Sequence, residues 1–244
     1  MLLGLALALA LFVPAQWLAA RVAAATGGQV LLQDARGTVW NGSARLVLTG
    51  GAGSSDAATL PSRLQWRLRP ALLGVHATLS TDCCTPEPLA LDWRLGWNSR
   101  SLRVADGRSQ WPASLLVGLG TPWNTLQPEG ELALRTESLQ LRWAQGRLSV
   151  AGQAELTAER MASRLTTLRP MGSYRLLLAG GDVPGLQLST LDGPLRLSGT
   201  GQWVASRLRF TGEASAAPER EAALANLLNI IGRRDGARSI ITLG

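Results

Sequence analysis

The chain has 244 residues, 46% of them apolar and 17% charged, the latter below the ~25% of an average soluble domain. This length and apolar content support one folded domain with a sizeable core and exclude a disordered tail. The formal charge is +7, yet every basic residue is Arg and only Arg233 and Arg234 adjoin, so the clustered footprint of a nucleic-acid binder is missing.

Leu2–Ala20 is free of charge and approaches the ~20 apolar residues of a bilayer span. Its strongest part, Leu2–Val13, has the length of a signal-peptide core, and Ala23-Ala24-Ala25 would serve as a cleavage site. Trp17 and Arg21 suit the interface end of a span. No basic residue precedes Leu2, which weakens both export readings. A buried core helix is the alternative, disfavoured because nothing polar interrupts its faces. The segment therefore reads as a membrane anchor over 1–25, or a signal peptide, with an exported β-rich domain over 26–244.

From Gln29 onwards the period is two, the signature of half-buried strands. Leu64, Trp66 and Leu68 alternate with Arg63, Gln65 and Arg67. Leu89, Leu91, Trp93, Leu95 and Trp97 form a second series, and Leu139, Leu141 and Trp143 a third. Leu195 and Leu197, then Leu208 and Phe210, complete it, with Arg196, Arg207 and Arg209 in the opposite phase. The Arg residues are thus expected on the wet face of a sheet and the Trp residues in its core. Turn-forming residues at 50–53, 106–107, 128–130, 180–182 and 192–194 separate the strands. Pro112–Leu119 predicts a short apolar turn of helix. Leu224, Leu227, Leu228 and Ile231 follow helical spacing, with Pro218, Glu219 and Glu221 at the start and Gly232, Arg233 and Arg234 at the end. The fold class is mainly β: an N-terminal membrane helix, then a curved antiparallel sheet with a short middle helix and a C-terminal amphipathic helix.

Catalytic chemistry is hard to assemble from this inventory. The one histidine, His76, falls on the polar phase of VHATL and reads as a solvated strand residue. No zinc-protease, phosphate-loop or nucleophile-elbow motif is present. No catalytic residue, cofactor or metal site is assigned, and the chain is not expected to be an enzyme. Asn41-Gly42-Ser43 fits a glycosylation sequon, a match of low specificity. Cys83-Cys84, within TDCCTPEP, has three readings after export to an oxidising compartment: a vicinal disulfide in a tight loop, free thiols, or a link to another chain.

Four segments in order resemble the type II secretion system protein N family, also called general secretion pathway protein N. Ala35-Arg36-Gly37-Thr38-Val39-Trp40-Asn41-Gly42-Ser43-Ala44 is similar to its GT-hydrophobe-W-x-G-x-A signature, and Leu168-Arg169-Pro170-Met171-Gly172-Ser173-Tyr174-Arg175 to its PLGSY stretch, with Met for Leu. The third runs from Leu191 through Gly193 and Gly199 to Phe210-Thr211-Gly212-Glu213-Ala214, and the fourth is Leu227–Arg234 around Gly232. From the residues alone, Gly37 and Gly42 read as bend points around a buried Trp40.

The resemblance implies a single-pass inner-membrane protein with its bulk in the periplasm. Its role would be a non-catalytic scaffold supporting transport of folded proteins across the outer membrane. Its partners would be inner-membrane subunits and the secretin, and an exposed sheet edge would allow strand addition. The alternative is a periplasmic lipid-handling or envelope-assembly protein, with Leu and Trp lining an open apolar groove.

Overall fold

The computed structural model describes residues 12–181, 183–204 and 207–244. Residues 1–11 of the anchor predicted over 1–25 lie outside these residues. Among the described residues no helix is long and apolar enough to cross a membrane.

Helix α1 (Ala15–Ala25) ends where Thr26, Gly27 and Gly28 turn the chain back. The amides of Gly27 and Gly28 donate to the carbonyls of Ala24 and Ala23 at 3.4 and 2.8 Å. This termination needs a left-handed residue, and Gly27 supplies it at φ +59° without steric cost. The helix lies on the sheet: Ala15 is 1% exposed and packs with Ala44 and Trp66, joined by Leu18, Leu32 and Leu68.

Sixteen strands follow. They are β1 (Val30–Gly37), β2 (Asn41–Thr49), β3 (Ala57–Thr59), β4 (Leu64–Ala71), β5 (Gly74–Ser80), β6 (Leu89–Leu95), β7 (Ser99–Val104) and β8 (Gly107–Pro112). Then come β9 (Glu129–Ala144), β10 (Arg147–Ala162), β11 (Gly172–Gly181), β12 (Gly185–Asp192), β13 (Leu195–Val204), β14 (Arg207–Ala216), β15 (Arg233–Asp235) and β16 (Arg238–Leu243). They form one antiparallel sheet ordered β1-β2-β4-β5-β6-β7-β9-β10-β11-β12-β13-β14-β16-β15, with β3 beside β2 and β8 beside β9.

Register converts the period of two into faces. Trp66 pairs with Leu79, Leu91 with Val104, and Leu102 with Leu141, so the apolar phases of successive strands fall on one side. Arg67, Arg94, Arg103 and Arg142 take the other side, as expected of a wet face. A bulge in β9 preserves this sorting: Ser138 sits at φ +49° where β9 has one residue more than β10, which keeps Leu139 and Leu141 on the side of Leu132 and Leu134.

The sheet is curved. Its middle connection holds a 3-10 segment, Ala113–Leu119, and a four-residue helix α2 (Trp123–Leu126). Leu115 packs with Leu60 and Cys84, and Leu46 and Leu48 of β2 join the same cluster. Ala113 belongs instead to the cluster of β9 and β13, with Leu132 and Leu195. In a flat sheet, five strand steps of ~4.8 Å would hold β2 and β9 about 24 Å apart. A seven-residue 3-10 segment reaches only ~14 Å, so the sheet curls towards it.

One end of this curl is plugged. Helix α3 (Glu221–Ile231) buries Leu224, Leu227 and Leu228 against Leu195, Tyr174 and Ala214. The Ser239 hydroxyl donates to the Leu228 carbonyl at 2.6 Å, satisfying one of the last four helix carbonyls inside the plug, and that of Thr166 donates to the Ala223 carbonyl in the first turn at 2.9 Å. The opposite end carries the β4–β5, β6–β7, β9–β10, β11–β12 and β13–β14 hairpin tips and is open.

Several local expectations change. Trp97 lies beyond β6 in the hairpin tip and is fully exposed, and Trp143 is 37% exposed, so these indoles are not core. Pro128-Glu129-Gly130 opens β9 instead of forming a turn between strands. Gly232 follows α3 in extended backbone, and Arg233 and Arg234 form β15 instead of a helix terminus. The helix predicted over Pro112–Leu119 is 3-10.

Candidate functional site

The motif residues gather in two places, and packing accounts for both. Gly37, Thr38, Trp40 and Gly42 form the β1–β2 turn. The Val39 amide donates to the Val13 carbonyl at 2.9 Å and Pro14 bridges to Thr38, so this turn clamps the start of α1. The buried indole beside it is Trp66, not Trp40, which is half-buried. Trp66 Nε1–H donates to the Val39 carbonyl at 3.0 Å. Gly42 lies directly under that ring: a Cβ there would stand 2.5 Å from Trp66 Cζ2 and 2.7 Å from the Arg36 carbonyl oxygen. The signature thus builds a socket for a Trp that comes from another strand.

The second group lies at the plugged end. Arg169–Pro170 is a cis peptide, and Pro170 leads through Met171 to Gly172 at the start of β11. Tyr174 is buried, and its hydroxyl donates to the Leu195 carbonyl at 3.2 Å. That burial pushes its phenol well above the ordinary tyrosine range. Gly172 and Gly193 let the β10–β11 and β12–β13 connections touch, since a Cβ on either would strike the other's backbone or the Tyr174 hydroxyl. Gly199 and Gly212 face each other across β13 and β14 under the Phe210 ring. Gly232 packs against the Ile240 carbonyl.

Around Pro170 the surface carries a cleft of about 630 Å³, lined by Arg169, Asp192, Gly193, Pro194, Pro218 and Arg220 among others. Arg169 donates to the Glu129 carboxylate at 2.6 Å, and this hydrogen bond lowers the Glu129 carboxyl below its usual range. Both groups are on the surface, so the pair is a screened contact and no source of catalytic pKa shift.

The remaining candidates separate. The Asp92 carboxylate, directly opposite on β6, accepts a hydrogen bond from His76 Nδ1 at 2.9 Å, and both are half-exposed on the outer face. Among the described residues no three His, Cys, Asp or Glu side chains converge on a metal-sized site. Cys83 and Cys84 are joined in a disulfide, with Cys84 buried against Leu60 and Leu115. The free edges are guarded: β1 is bulged between Gln33 and Arg36, and β15 has three residues, all charged and exposed.

The apolar side of the sheet is the one extended feature not consumed by packing. At the plugged end it is buried. Towards the open end Trp93, Leu102, Leu141 and Leu148 are only half-buried, and Trp93 and Trp143 lie with ring centroids 6.0 Å apart. Sequence reasoning found Trp93, Leu141 and Trp143 by phase and left open whether this face is a closed core or an open groove; Leu102 and Leu148 it did not single out. The signal it lacked was the position of the plug.

A search of curated proteins and one of solved structures found no match. The model of the family described as type II secretion system (T2SS), protein N, matches residues 28–241, from just before β1 into β16. That span contains all four motif segments and the whole curved sheet except its last residues. The chain belongs to the type II secretion system protein N family.

Proposed function

We propose that this chain is an accessory, non-catalytic scaffold of type II secretion, attached to the inner membrane by its N-terminal apolar residues. The sheet lies in the periplasm and contacts other components of the apparatus, inner-membrane subunits and the secretin, to support passage of folded proteins through the outer membrane. The family match over residues 28–241 carries this reading. That packing accounts for the motif glycines and for Tyr174 supports a structural role. Burial of Ala15 against Ala44 and Trp66 supports a boundary at Pro14, with the uncharged run up to Val13 as the attaching part. The guarded edges favour docking through faces or loops over strand addition.

The test is a gene deletion with exported enzymes assayed in periplasm and medium, together with detergent sensitivity. Folded enzymes held in the periplasm of a sound envelope are the expected result. Unchanged secretion overturns the proposal. A second reading, acyl-chain binding in the uncovered half of the apolar face, is favoured by the exposure of Leu95 and Trp143 there. Lipids found by mass spectrometry in the purified protein, with a leaky envelope on deletion, would select it.

A further inference from the structure

The open end of the sheet collects exposed apolar residues in places where water selects polar ones. The β4–β5 turn is Leu72-Leu73, with Leu72 95% exposed and Leu73 at φ +59°. A two-residue hairpin normally places Asn or Gly there, because bulky side chains gain nothing in solvent and resist positive φ. The β6–β7 tip presents Trp97, and the next tips present Val183 and Val204, each more than half exposed. The β9–β10 tip carries polar Gln145-Gly146 between Ala144 and Arg147, with Trp143 one residue further back in β9.

The chain leaves the sheet at this same end. The β1–β2 turn and Pro14 meet there, Phe12 is exposed, and the ten residues before it that follow Met1 are uncharged. Charge is sorted as well. Arg69, Arg94, Arg100, Arg142 and Arg147 surround the open end, and none of them forms an ion pair among the described residues. The acidic residues Glu129, Glu131, Glu155 and Glu213, by contrast, are matched to Arg partners.

We infer that the open end is set against the bilayer surface: the hairpin tips sit at headgroup level, Trp97 among them, and the unpaired arginines meet anionic phosphates. Interfacial Trp and Arg with apolar tips is the side-chain mixture that this boundary favours. The half-exposed apolar side of the sheet then opens towards lipid and away from water. This rests on attachment of the N-terminal residues to the membrane. A partner protein or a second copy covering the same tips is the competing occupant.

The test uses the full chain reconstituted into vesicles of phosphatidylethanolamine and phosphatidylglycerol, with ordinary or brominated acyl chains. Subtracting the emission of Trp97→Phe from that of the unaltered chain isolates the Trp97 ring. Trp123→Phe does the same for Trp123, which lies in α2 at the plugged end. The expected result is loss of the Trp97 component in brominated lipid with the Trp123 component unchanged. A chain that floats with the vesicles while Trp97 stays unquenched overturns the inference and leaves attachment standing. Trp97 emission that is blue-shifted but unquenched points to a protein occupant and overturns it too. A chain that does not float overturns both readings.

Discussion

Replacing Gly42 with Ala tests whether the family signature is a packing device. The added methyl would lie 2.5 Å from Trp66 Cζ2, 2.7 Å from the Arg36 carbonyl oxygen and 2.9 Å from that of Thr38. Two of these neighbours are backbone atoms of the turn that clamps α1, so the indole is the group that yields. Trp66 is 3% exposed, and its displacement also breaks the bond from Nε1–H to the Val39 carbonyl. Overpacking a core costs about 1–3 kcal/mol, and leaving a buried carbonyl unpaired about 1–3 kcal/mol more. Partial relaxation brings the expected total to about 2–4 kcal/mol, or roughly 5–15 °C in Tm for a chain of this size. Thermal and urea unfolding of the full chain in mild detergent, followed by circular dichroism, reads this directly. Gly42→Ala combined with Trp66→Phe removes the ring clash and should recover part of the loss, giving a non-additive cycle. An unchanged midpoint for Gly42→Ala, or strict additivity with Trp66→Phe, would refute the socket.

Leu227→Ala in α3, where the side chain is wholly buried, is expected to cost about 2–5 kcal/mol and to raise dye binding at the plugged end, read by urea unfolding and ANS fluorescence. Tyr174 is the only tyrosine, and its phenol is raised in the fold by burial, so its neutral form is favoured there. Stability from this group is complete below the unfolded value of about 10 and falls as pH rises past it. The tyrosinate absorbance should therefore appear only with unfolding, and Tyr174→Phe should flatten the alkaline limb. Protein purified without reductant is expected to be lighter by two hydrogens than its reduced form and to resist alkylation at Cys83 and Cys84; intact-mass spectrometry showing two free thiols would contradict the disulfide.

Strands were legible where alternation was strong, as in Leu64-Trp66-Leu68, because a pleated chain half in water must repeat every two residues. The C-terminal helix was legible for the same kind of reason, its Leu spacing matching 3.6 residues per turn. Trp97 misled because periodicity continues through a residue that lies past the end of the strand, and nothing in GWNS marks the last paired position. The bulge at Ser138 is equally silent in sequence, though it governs the side taken by Leu141. Helix α1 falls inside the segment expected to be an anchor, and its contacts with Ala44 and Trp66, distant in sequence, are not legible from an evenly apolar run that has no face to distinguish lipid from a sheet. The Trp66 socket escaped detection for a related reason: its two halves, the Gly42 turn and β4, are joined only by register.

The strand order has a consequence for how this chain is made. From β4 to β14 nearly every strand pairs with the one before it in sequence, so most of the sheet can be laid down hairpin by hairpin. Closing short loops is entropically cheap, and sheets built from neighbouring strands fold faster than those that wait for distant partners. A polypeptide emerging N-terminus first can therefore add strands to a growing edge as it arrives, with α1 docked on β1 and β2 from the beginning. Only the end departs from this order: β16 must enter beside β14, ahead of β15, and α3 must drop onto Leu195 and Tyr174. The segment from Glu221 to the end of the chain thus acts as a latch, and a chain halted before Glu221 would hold an assembled sheet with its plug missing and its apolar side exposed at both ends.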